Sequence, residues 1–136
     1  MKYFLPILSL FLLIACAQQT SPTGGPKDET PPELVKSNPA NGDINVTASQ
    51  LELTFSELIQ LDKAKEQIIV SPNVKEVESI YRKNKVFLIF KTPLADSTTY
   101  SINFREAVKD LTERNPAQNL KLAFSTGTYL DSLSIS

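Results

Sequence analysis

The chain has no histidine and one cysteine, and only four of its 136 residues are glycine. Without imidazole, Ser-His-Asp and Cys-His constellations are excluded, as are zinc sites built on histidine. One thiol cannot close an internal disulfide, so any core must hold by burial alone. Gly24-Gly25 is the one glycine pair. With no strand before it and no helix after it, it cannot act as a phosphate-cradling loop. A net charge of −1 gives no electrostatic case for nucleic acid. The one long apolar run, residues 4–14, is too short for a transmembrane helix and is interrupted by Pro6 and Ser9.

What the N-terminus does have is the layout of a secretory signal: Lys2, the apolar stretch, then Leu13-Ile14-Ala15-Cys16. Leu-Ile-Ala-Cys resembles the lipobox of bacterial lipoproteins. The resemblance implies that diacylglycerol alkylates the Cys16 thiol, that residues 1–15 are cleaved as a signal peptide, and that the new amine is then acylated. Each buried methylene contributes about 0.8 kcal/mol, and one chain anchors only marginally, whereas three make release negligible. Membrane lipid held through Cys16 is thus the first expected partner. Ala17 follows the cysteine where aspartate would signal inner-membrane retention, so the resemblance implies delivery to the outer membrane. The stretch Ala17-Gln18-Gln19-Thr20 lacks the acidic patch of exported lipoproteins, which leaves the facing side of that membrane open. After cleavage thirteen basic residues stand against fifteen acidic ones, because only Lys2 is removed.

Residues 16–32 read as the lipidated N-terminus and a tether. Gln18-Gln19-Thr20-Ser21-Pro22, Gly24-Gly25-Pro26 and Pro31-Pro32 offer too little apolar surface to offset chain entropy. From residue 33 onward the pattern is alternation. Leu51, Leu53 and Phe55 share one face, as do Tyr100, Ile102 and Phe104, and again Leu120, Leu122 and Phe124. Lys85-Val86-Phe87-Leu88-Ile89-Phe90 is more continuously apolar, as in a central strand. Strands are expected at 33–37, 50–55, 67–71, 77–82, 85–90, 98–104 and 120–126. Turn chemistry separates them at Asn38-Pro39-Ala40-Asn41-Gly42, Ser71-Pro72-Asn73, Lys83-Asn84 and Thr92-Pro93. Short helical turns are expected at 57–66, where Leu58 and Leu61 are three apart, and at 105–111. Leu53, Phe55, Phe87, Ile89, Tyr100, Ile102, Leu122 and Phe124 are expected to face inward. About seven short strands without a sustained helical period predict an all-β fold, a single immunoglobulin-like antiparallel β-sandwich over 33–127.

Pro31-Pro32-Glu33-Leu34-Val35, the 37–42 turn, Leu51-Glu52-Leu53-Thr54-Phe55-Ser56-Glu57, Leu94-Ala95-Asp96-Ser97-Thr98-Thr99-Tyr100, Val108-Lys109-Asp110 and Phe124-Ser125-Thr126-Gly127 together resemble the bacterial immunoglobulin-like domain of S-layer-protein (SbsA-like) type. Arg114-Asn115 stands where that family often has Gly-Asn. The resemblance implies a structural spacer or protein-interaction module of the cell envelope, with an envelope protein or a glycan as partner. The tail, 128–136, resembles the run into a following domain.

No catalytic residue and no cofactor is expected. Glu76/Glu78 and Glu106/Asp110 are carboxylate pairs of the kind used in glycoside hydrolysis, but the spacing of the first is that of a wet strand face. Asp110, Glu113, Asn115 and Asn119 gather oxygen ligands within one loop and form the candidate calcium- or glycan-binding alternative. Lys109 and Arg114 oppose a cation there, and asparagine and aspartate in turn conformations account equally for the cluster, with Asp110 capping the following turn. Tyr100 sits in the context of a corner tyrosine, while Tyr81 and Tyr129 are the candidates for exposed contact.

Overall fold

A computed structural model describes residues 28–131. The expected signal peptide, Cys16, most of the tether and the last five residues lie outside the described residues. Among the described residues nine strands and one turn of helix follow in order: β1 (Leu34–Asn38), β2 (Gln50–Phe55), β3 (Ile59–Leu61), α1 (Ala64–Gln67), β4 (Ile69–Ser71), β5 (Val77–Arg82), β6 (Lys85–Phe90), β7 (Thr99–Asn103), β8 (Val108–Asp110) and β9 (Lys121–Ser125). A four-stranded sheet has the order β1-β2-β6-β5, a three-stranded sheet the order β4-β7-β9, and β3 pairs with β8. All pairings are antiparallel. The fold is the all-β immunoglobulin-like sandwich that the alternation predicts.

The seven expected strands are present, and β2, β5 and β6 have the expected bounds. Two expectations are corrected. Of residues 57–66 only the last three are helical, as part of Ala64–Gln67, because Ile59–Leu61 is strand. Residues 105–111 likewise contain strand β8. The reason is non-local, because each short segment gains its ladder from the other, Ile59 opposite Asp110 and Leu61 opposite Val108. The three-residue spacing of Leu58 and Leu61 misleads, since the buried residue between them is Ile59 while Leu58 is exposed.

The core lies between the inner faces of the two larger sheets. Leu51, Leu53 and Phe55 of β2 bury with Val86, Leu88 and Phe90 of β6, against Tyr100, Ile102, Leu122 and Phe124 of β7 and β9. Here the inward register expected for β6 is wrong by one residue. Phe87 and Ile89 are only half-buried and point to the outer face, while Val86, Leu88 and Phe90 point in. Residues directly opposite in a ladder share a face, and β2 pairs Leu53 with Val86 and Leu51 with Leu88. A six-residue run that is apolar at five positions cannot declare its own inner face. Its partner does.

Turns and edges follow the residue chemistry. Lys83-Asn84 closes the β5–β6 hairpin with Lys83 at φ 57°, and the Asn84 amide donates to the Phe55 carbonyl at 3.1 Å. Gly42, at φ 90°, lets the 38–46 loop turn back over β9, where Gly42 N–H donates to the Ala123 carbonyl at 2.7 Å and Ala123 N–H to Asn41 Oδ1 at 2.9 Å. That loop covers an otherwise open edge strand, and a bulge between Leu34 and Lys36 breaks the edge at β1. Residues 28–32, which composition places in the tether, rest against the domain, with Pro32 buried.

Candidate functional site

Strand β8 ends on Asp110, whose side chain is 1% exposed. Its Oδ1 accepts the backbone N–H groups of Glu113 at 2.6 Å and Arg114 at 2.7 Å, and Oδ2 accepts the Asn115 amide at 2.9 Å. A carboxylate taken out of water needs such donors. Asp110 therefore caps the turn that follows it. Of the four expected loop ligands, Asp110 and Asn115 are in contact, Glu113 approaches through its backbone N–H, and Asn119 is an exposed turn residue at φ 51°. Asn115 also donates to the carbonyl of Asp28, pinning the incoming chain to the loop at 2.9 Å. Among the described residues no three acidic or thiol groups are placed to hold a metal ion.

The two cations of this loop have a different task from the one the sequence suggests. Lys109 Nζ and Arg114 Nη2 meet on Asp62 Oδ2, at 2.7 and 3.2 Å. The hydrogen bond from Lys109, followed by the positive charge of both groups, holds the Asp62 carboxyl below the usual carboxylate range. Glu57 is shifted the other way, raised first by desolvation and then by the negative charges of Asp110 and Asp28. Asp62 was not singled out in the sequence, since its partners lie 47 and 52 residues away.

The carboxylate pairs do not converge. Glu78 makes an exposed ion pair with Lys91 at 3.2 Å, and the carbonyl of its neighbour Glu76 accepts the Lys91 N–H. Glu106 is exposed on the turn before β8, whereas Asp110 is buried and fully bonded. Tyr100 is the corner tyrosine: its buried hydroxyl accepts the Ala95 N–H at 2.8 Å. Tyr81 and Tyr129 are exposed.

The outward register of β6 creates a surface that sequence reading missed. Phe87 lies opposite Ile80 of β5, and Ile89 lies two residues along β6 on the same face. Ile80 is 44% exposed. The Glu52–Lys85 and Glu78–Lys91 ion pairs flank this strip. An apolar centre with a charged rim has the anatomy of a protein-contact surface.

The domain also has two distinct poles. One holds the Lys83-Asn84 hairpin tip, the Asp110 loop and Asp28, linked by the Ile59 N–H to Lys83 carbonyl and Asn115 to Asp28 bonds. The other holds the start of β2, where Phe90 N–H donates to the Ser49 carbonyl, and the start of β7, where Thr99 Oγ1 accepts the Asp131 N–H at 3.0 Å. The described backbone thus enters at one pole and leaves at the other. Strand β2 joins them, and its six residues span about 20 Å at the usual rise.

A solved L,D-transpeptidase from Mycobacterium smegmatis is similar over 72% of this chain at 16% identity, with a TM-score of 0.49. The chain spans 41% of that protein's length. Among curated proteins no match is found. The family model of the bacterial Ig-like domain matches residues 28–126, from the pinned entry segment to the strand that closes the core. The chain belongs to the bacterial Ig-like domain family.

Proposed function

We propose that this is a lipid-anchored cell-envelope protein, held in the outer membrane through Cys16, whose Ig-like domain of SbsA-like type acts as a structural spacer and interaction module without chemistry of its own. The observation that carries the reading is the polar separation of entry and exit, Asp28 beside Asn115 and Asp131 beside Thr99. A chain threaded through a sandwich in this way sets whatever follows it one strand-length further from whatever precedes it. The Leu13-Ile14-Ala15-Cys16 motif supports the anchor, and the apolar strip of Ile80, Phe87 and Ile89 supports a protein contact.

The test has two arms. Changing Cys16 to serine should release the protein from the membrane fraction and remove the lipid mass from its N-terminal peptide. Retention with no change in that mass refutes the anchor. In proteoliposomes carrying a headgroup acceptor dye, a fluorophore on Glu29→Cys should be quenched more strongly than one on Thr128→Cys. Equal quenching at the two poles refutes the spacer.

A further inference from the structure

At the exit pole the 97–99 segment, the end of β9, the end of β4 and the 45 turn enclose a cleft of about 530 Å³. The lining is largely hydroxyl and amide: Asn45, Ser71, Ser97, Thr98, Thr99 and Thr128. It contains no lysine or arginine, and its one carboxylate is Asp131. Tyr129 stands at the cleft with 75% of its surface exposed. The size falls within the range of small-ligand sites.

The walls are built before any ligand arrives. Thr126 Oγ1 donates to the Ala95 carbonyl at 2.7 Å and accepts the Thr98 N–H at 3.0 Å. Gly127 N–H donates to Ser125 Oγ at 2.9 Å, and the Gly127 carbonyl accepts the Asn45 N–H at 2.8 Å. A Cβ on Gly127 would lie 2.9 Å from Ser97 Cα, so the 97 turn reaches its seat only because residue 127 has no side chain. Asn45 and Ser97 are both held at positive φ, 54° and 49°. Walls fixed in this way lose little entropy on binding.

With the walls fixed, the side chains of Asn45, Ser71, Ser97, Thr128 and Tyr129 have no hydrogen-bond partner among the described residues. Five donor–acceptor groups around a concave surface suit a ligand dense in hydroxyls. The absence of cations from the lining argues against phosphate or another anion. Only Pro72 and Tyr129 are large apolar or aromatic residues of the lining, which is too little for a peptide that anchors through side-chain pockets. The negative face of an exposed tyrosine ring attracts C–H bonds, such as those on one face of a sugar ring.

We propose that this cleft binds a neutral oligosaccharide, with Tyr129 as the stacking platform and Asn45 and the hydroxyls as hydrogen-bonding partners. The site is separate from the 110–119 loop at the opposite pole. It names a partner class for the interaction module but does not depend on the lipid anchor, because the test involves no membrane. The full-length chain in a non-sugar detergent would be titrated calorimetrically with cellotetraose, chitotetraose, maltotetraose and, as the peptide probe, tetra-alanine. At least one tetrasaccharide should bind saturably. Tyr129→Ala should weaken that binding roughly tenfold, the effect of one lost aromatic contact. Asn45→Ala should weaken it as well. Tyr129→Phe should retain most of it, and Tyr81→Ala, which changes an exposed tyrosine of the other sheet, should leave it unchanged. Melting temperatures equal to that of the parent would show that these exposed changes leave the fold intact. Saturable binding of none of the three sugars, binding of tetra-alanine in their place, or sugar binding indifferent to Tyr129→Ala would each overturn the proposal.

Discussion

Phe124 tests both the core and the register. It lies on β9 opposite Tyr100 and is 1% exposed. Its ring centroid is 5.9 Å from that of Tyr100 in its own sheet and 6.4 Å from that of Phe90 in the facing sheet. Phe124→Ala removes the ring that connects the two layers. Burial of this kind is worth about 3–5 kcal/mol, cavity included. The upper half of that range applies here, because Phe90 and Tyr100 sit on paired strands and cannot follow the missing ring inward. In a small domain with about 5–15 kcal/mol of total stability this is a large fraction. With a urea slope near the low end of about 1–3 kcal/mol per molar, the unfolding midpoint should fall by about 3–5 M. Phe87→Ala makes the same chemical change on the outer face of β6, where the ring is half-buried, and should cost about 1–2 kcal/mol. Should Phe124→Ala fail to fold, Phe124→Leu against Phe87→Leu gives the same comparison on a smaller scale. Equal midpoints for the two positions would mean that β6 turns its other face inward, and the reasoning would fail.

Asp110→Ala leaves two backbone N–H groups and the Asn115 amide without their acceptor, and should lower stability by about 1–3 kcal/mol in thermal melts, with Asp110→Asn losing less. Because those oxygens already accept protein donors, millimolar calcium should scarcely move the melting temperature of the parent; a reproducible calcium shift lost in Asp110→Ala would refute the capping role. Tyr100→Phe strands the Ala95 N–H and should cost about 1 kcal/mol by urea denaturation, with no effect expected from Tyr81→Phe. Asp62 gives a pH signature. Its folded carboxyl titrates below the usual range, so its contribution is complete above the ordinary carboxylate value of about 3.9 and is lost as pH falls through the lower folded value. Urea midpoints of the parent should therefore drop below about pH 4, and Asp62→Asn should flatten that limb; identical acid profiles would show the contact to be idle.

Local chemistry made much of this protein legible from sequence. Alternation of the large apolar residues in β2, β7 and β9 determined both the strands and their inner faces, because large side chains at a period of two share one face. Lys83-Asn84 and the 38–42 stretch determined turns by backbone preference alone, and the context of Tyr100 determined a corner. Where the residues were ambiguous, the tertiary structure decided. Strand β6 is apolar on both faces, so only its register with Leu51 and Leu53 turned Phe87 and Ile89 outward and produced an exposed apolar strip. Strands β3 and β8 are three residues each, too short to carry a period, and exist because they pair across about fifty residues. The Asp110 cluster looks the same in sequence whether it binds a cation or caps a turn; burial and the N–H groups of Glu113 and Arg114 selected the cap. The cleft at the exit pole had no sequence signal at all. Its hydroxyls come from segments centred on residues 45, 71, 98 and 128, each an ordinary polar loop, and they share a surface only because the sandwich brings those loop ends to one pole.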